Sequence, residues 1–72
     1  MNADVVAPIT GVVWKILVSV GDEVAVDQSL VLLESMKMEV PVVAGQAGTV
    51  RELLVRPGDA VEEGDTVAKL ET

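Results

Sequence analysis

The sequence predicts an all-β domain in which a duplicated unit forms two antiparallel sheets packed face to face. Three observations carry this. The apolar residues are Val, Leu, Ile and Ala almost throughout, with Trp14 as the single aromatic, a composition that suits strands. The second half overlays the first with a shift of 37 residues and no gap: Ala7 falls on Ala44, Gly11 on Gly48, Val13 on Val50, Leu17-Val18 on Leu54-Val55, Gly21-Asp22 on Gly58-Asp59, Val24 on Val61 and Leu33-Glu34 on Leu70-Glu71. The matches concentrate at turn glycines and apolar strand positions, the mark of an internal repeat whose unit exposes an apolar face when alone. Two such units cover each other as a flattened barrel or sandwich of two four-stranded antiparallel sheets related by a pseudo-two-fold, each half giving strands to both.

At 72 residues the chain is expected to be one domain, 1–72, with repeat halves at about 4–35 and 41–72. In order, a short apolar strand at Val5 to Ala7 runs into a turn at Pro8-Ile9-Thr10-Gly11, where Pro fixes one backbone angle and Gly permits a positive one. Val12 to Val20 reads as a strand and is broken at Gly21-Asp22. A short piece at Glu23 to Val26 leads through a turn at Asp27-Gln28-Ser29 into Leu30-Val31-Leu32-Leu33-Glu34, a run apolar enough for a strand with little solvent on either face. The second copy repeats this pattern. The join between copies, Met36-Lys37-Met38, then becomes a hairpin turn, with the two chain ends at the other end of the molecule.

Several function classes are excluded. A formal net charge of −7 with five scattered basic residues argues against nucleic acid or an anionic membrane as partner. Without cysteine or histidine there is no disulfide framework, no thiol chemistry and no imidazole base. Gly21-Asp22, Gly58-Asp59 and Gly64-Asp65 lack calcium-loop spacing and phosphate-loop endings, and read as turns. Trp14 reads as a core or half-buried residue, and Glu62-Glu63 as a solvated face. No pair of carboxylates can be placed around a substrate, so no enzymatic activity is expected of the chain alone. The N-terminus lacks the basic region of a signal peptide and no segment reaches transmembrane length, so a soluble, cytoplasmic protein, monomeric in isolation, is expected.

What remains is Lys37. A lone exposed lysine is ordinarily just solvated, but Met36 and Met38 flank it where turn chemistry prefers Asn, Asp or Gly. A tip built against local preference points to a role other than folding. The plainer alternative is that one or both methionines fold back to fill gaps in the core.

Glu34-Ser35-Met36-Lys37-Met38-Glu39 resembles the attachment motif of biotinyl domains, usually Glu-Ala-Met-Lys-Met, and Ala7-Pro8-Ile9-Thr10-Gly11-Val12-Val13 resembles that family's opening strand and turn. The resemblance covers nearly the whole chain and is greatest to the small free-standing biotin/lipoyl attachment proteins. It implies a barrel-sandwich hybrid, with Lys37 acylated by a biotin protein ligase that reads Glu34, Ser35, Met36 and Met38. It implies a carrier moving carboxyl groups between biotin carboxylase and carboxyltransferase sites. Ser35 stands where the family commonly has Ala. The gapless overlay leaves no room for the inserted thumb loop of some carboxyl carriers. A lysine amine is mostly protonated at neutral pH, so its activation falls to the ligase. Acylation removes one positive charge from the chain. Two alternatives stay open: a lipoyl carrier on the same lysine, though lipoyl motifs commonly read Asp-Lys-Ala, and an unmodified structural or docking module.

Overall fold

A computed structural model describes residues 2–72; Met1, inside the expected domain, lies outside the described residues. Eight strands follow one another: β1 (Asn2–Val6), β2 (Gly11–Ile16), β3 (Glu23–Val24), β4 (Ser29–Ser35), β5 (Met38–Val43), β6 (Gly48–Leu53), β7 (Ala60–Val61) and β8 (Thr66–Glu71). They form two four-stranded sheets, in the orders β1-β8-β6-β3 and β5-β4-β2-β7. Every pairing is antiparallel. The sheets stay separate, so the flattened body is a sandwich and not a closed barrel.

Advancing each strand by one repeat turns the first sheet order into the second. The registers obey the same rule. Asn2 pairs with Glu71 and Ala3 with Leu70, while their mates Glu39 and Val40 pair with Glu34 and Leu33. The bulge between Val13 and Lys15 recurs between Val50 and Glu52. Backbone bonds outside the ladders repeat too: Gly21 N–H reaches the Val50 carbonyl at 2.8 Å and Gly58 N–H the Val13 carbonyl at 2.7 Å. The chain ends meet at the Asn2–Glu71 pair, which the pseudo-two-fold relates to the β4–β5 hairpin.

The core lies between the sheets and consists of repeat mates. Val5 and Val42, Ala7 and Ala44, Val13 and Val50, Val24 and Val61, Leu30 and Val67, Leu33 and Leu70 are all buried. Strand alternation produces this: with Val13 and Leu33 inward, Val12 and Glu34 face out. No polar or charged residue is buried among those described. The small core is apolar throughout among the described residues.

Three local expectations change. The strand expected at Val5 to Ala7 runs from Asn2 to Val6, because its pairing with β8 continues to Glu71. The strand expected from Val12 to Val20 ends at Ile16. Beyond it Leu17 N–H still bonds the Leu30 carbonyl at 2.9 Å, and Asp22 Oδ2 then accepts from Ser19 N–H at 2.8 Å, turning the chain so that β3 can join β6 in the other sheet. Gly11 is not a positive-φ turn glycine. It opens β2, and a Cβ there would lie 2.7 Å from the Glu34 carbonyl oxygen. The position needs glycine because two strands approach closely. Its mate Gly48 meets the Glu71 carbonyl at the same 2.7 Å.

Candidate functional site

The hairpin between the repeats carries the candidate site. Ser35 pairs with Met38, leaving Met36 and Lys37 as a two-residue loop with φ of 51° and 65°. Two positive φ values are the requirement of a type I′ turn, whose twist suits a hairpin and which Asn-Gly satisfies at least cost. An L-residue in this region costs about 1–2 kcal/mol, so the surrounding ladder holds Met36 and Lys37 in a conformation they would not choose. The loop is two residues long, and it puts Met36 and Lys37 together at the tip of their strand pair.

Neither methionine folds back onto the core. Met36 is 90% and Met38 64% exposed, and Lys37 is exposed between them. Among the described residues Lys37 enters no ion pair. The tip therefore offers a free amine flanked by two flexible apolar side chains, open to an enzyme that would enclose all three.

Ser35 has a partner that the sequence did not announce. Its hydroxyl donates to the Thr10 carbonyl at 2.9 Å, and the Thr10 hydroxyl accepts from Glu63 N–H at 3.2 Å. This short chain of bonds ties the root of the hairpin to the β1–β2 loop and to the turn after β7. Glu34 faces solvent opposite Glu39. The expected site residues Glu34, Ser35, Met36, Lys37 and Met38 thus lie together on one hairpin.

The rest of the surface offers little chemistry. Among the described residues no group of carboxylates could hold a metal ion, and no helix is long and apolar enough to cross a membrane. Two shallow depressions, one near Val24, Gly48 and Thr72 and one at Thr49, Arg51 and Glu71, include no hairpin residue. The Gly-Asp turns are structural: Gly21, Gly58 and Gly64 have φ of 98°, 96° and 91°. Asp22, Asp59 and Asp65 each accept a hydrogen bond from the amide three residues before. Trp14 is 50% exposed on the outside of β2.

Comparison with known proteins places this geometry. Residues 1–70 match the family model described as "Biotin-requiring enzyme". The chain belongs to the biotin/lipoyl attachment family. Within that family it is 48% identical over 68 residues to the biotinylated protein TB7.3 homolog of Mycobacterium leprae, covering 94% of this chain and 96% of that one. It is 45% identical over 60 residues to the biotin/lipoyl attachment protein of Bacillus subtilis, covering 83% and 82%. The fold matches a segment of the Kluyveromyces lactis urea carboxylase with a TM-score of 0.94 and 35% identity, over 99% of this chain and 6% of that enzyme. This biotin/lipoyl family member thus aligns with most of the length of two small relatives and has the fold of one segment of a large carboxylase.

Proposed function

We propose that the chain is a covalently biotinylated carrier, with Lys37 as its attachment residue, serving a biotin-dependent carboxylase. The observation that carries this is the strained two-residue turn that presents Lys37 between two exposed methionines. Relatives named as a biotinylated protein and as the biotin carboxyl carrier protein of Streptococcus mutans support it.

The division of labour follows from the residues. A biotin protein ligase brings a biotin whose carboxyl is already activated; an amide bond forms to Lys37 Nζ, the bond to the activating group breaks, and Nζ gives up the two protons that separate an ammonium from an amide. The hairpin holds Nζ clear of the sandwich, and Glu34, Ser35, Met36 and Met38 supply the surface the ligase reads. Attached biotin supplies the nitrogen that takes up and releases a carboxyl group. The chain supplies position and reach, and is not catalytic itself. Its partners on this reading are the ligase, a biotin carboxylase and a carboxyltransferase, and its place of action is the cytoplasm.

The test is intact mass after incubation with ligase, biotin and ATP. The wild-type chain gains one biotinyl group and Lys37→Arg gains none; an unchanged wild-type mass, or a modified Lys37→Arg, overturns the assignment. A lipoyl group on the same lysine is the second reading, favoured by the relative named for both attachments. A parallel incubation with a lipoyl ligase and lipoate separates the two by the mass added.

A further inference from the structure

Among the outward positions that break the pseudo-two-fold, one pair lies at a bulge. Both β2 and β6 bulge at the same point, and the bulged residue is Trp14 in one and Arg51 in the other. Arg51 Nη1 donates to Asn2 Oδ1 at 3.0 Å and to Glu71 Oε2 at 3.2 Å, so a guanidinium bridges the Asn2–Glu71 pair on the outer face. The mates of Asn2 and Glu71 are Glu39 and Glu34, which pair directly across β4 and β5. Two like charges directly opposite one another destabilise a ladder. Among the described residues neither carboxylate has an ion-pair partner. Where the second face has a cation bridging its pair, the lysine-bearing face has a half-exposed indole and an acidic pair that no cation bridges, the exposed Lys15 of the same face included, with Val12 also 45% exposed.

We infer that this face, bearing Trp14, Glu34 and Glu39, is a docking surface for the enzyme that acylates Lys37, which places a cationic side chain there in trans, as Arg51 does in cis on the other face. A guanidinium fits best, since it pairs with carboxylates and stacks on an indole. The occupant follows from reach. An acylating enzyme must bring its active site to the lysine amine itself, with no arm between, and so must cover the flanks of the hairpin. Enzymes that use the loaded carrier meet its group at the end of a long, flexible arm. Gly11 lies against Ser35 at the root of the turn, and Trp14 is three strand residues further on, roughly 10 Å at the usual rise. Trp14 and Glu39 extend the recognised surface beyond the hairpin motif. The inference rests on Lys37 being a ligase substrate.

The experiment measures biotinylation kinetics of the full chain with biotin protein ligase. The variants are Glu39→Gln and Trp14→Arg, the latter copying the arrangement that the fold already accepts at Arg51. Far-ultraviolet circular dichroism and a urea titration check that both fold. We expect Trp14→Arg, which fills the site in cis, to raise KM about tenfold or more with kcat nearly unchanged. Glu39→Gln raises KM severalfold and flattens its salt dependence. Wild-type KM in both variants, or a loss confined to kcat, overturns the proposal. So does normal ligation with a defect only when the loaded variants are supplied to a carboxylase. If the wild-type chain itself gains no biotin, it is the assignment of Lys37 that fails.

Discussion

The two ends of the sandwich are built from equivalent strands and do different things. At one end the repeat closes on itself: Asn2 lies beside Glu71, and Arg51 bridges them. At the other, the chain passes through Met36 and Lys37, both at positive φ, and an acidic pair stands unbridged. The inward-facing residues obey the symmetry and the outward-facing ones break it. Folding needs both halves to fill one core, so selection on stability keeps the inner mates alike. Where the mates diverge, one face carries the cross-strand bridge of Arg51 and the other, next to the candidate lysine, carries none.

Paired substitutions can break or sharpen this contrast. The largest effect is expected from Gly11→Ala and Gly48→Ala, each forcing a Cβ to within 2.7 Å of a backbone carbonyl oxygen. Each should lower stability by about 1–3 kcal/mol, and by similar amounts in urea denaturation, because the obstacle is the same in both halves. A gap of more than about 1 kcal/mol between them would show that the two close approaches are not equivalent and that the symmetry of the core is broken there.

A smaller effect, opposite in sign, is expected at the turn. Met36→Asn places a residue tolerant of positive φ where Met is strained, and should raise stability by up to about 1 kcal/mol. The same change should lower the efficiency of acylation by a ligase. If neither stability nor ligation moves, the strain is not being retained for recognition. Smallest is Ser35→Ala, which removes the solvent-exposed bond to the Thr10 carbonyl at an expected cost of about 0.5 kcal/mol, the low end for a hydrogen bond. Amide hydrogen exchange should accelerate at Lys37 and Met38 and stay unchanged around Arg51.

Much of this was legible in the residues, for identifiable reasons. The repeat was readable because strand alternation and turn chemistry are local and recur at a fixed shift. The hairpin followed from it, since a gapless overlay leaves Met36-Lys37-Met38 no other place. Features that depend on contact across the sandwich were not readable. Gly11 resembles any turn glycine until the Glu34 carbonyl is seen against it. The bond from Ser35 to Thr10 spans 25 residues. That Lys15 faces out beside Trp14, where plain alternation would turn it inward, depends on a bulge, which inserts one residue and shifts the alternation. One signal was available and unread: laid over one another, the halves set Trp14 against Arg51, and the mismatches held as much information as the matches.

The interleaving of the halves also sets an order of events in time. The β4–β5 hairpin joins neighbours in sequence and can form early, but β1 must await β8, the last of the eight strands, with six strands between them in sequence. Folds dominated by such distant pairings reach the native state in milliseconds to seconds, where helical bundles take microseconds to milliseconds. A chain emerging from synthesis therefore exposes the Met36-Lys37 turn well before the body that holds it is complete. If acylation requires the surface around Trp14 as well as the turn, the modification is confined to chains that have finished folding.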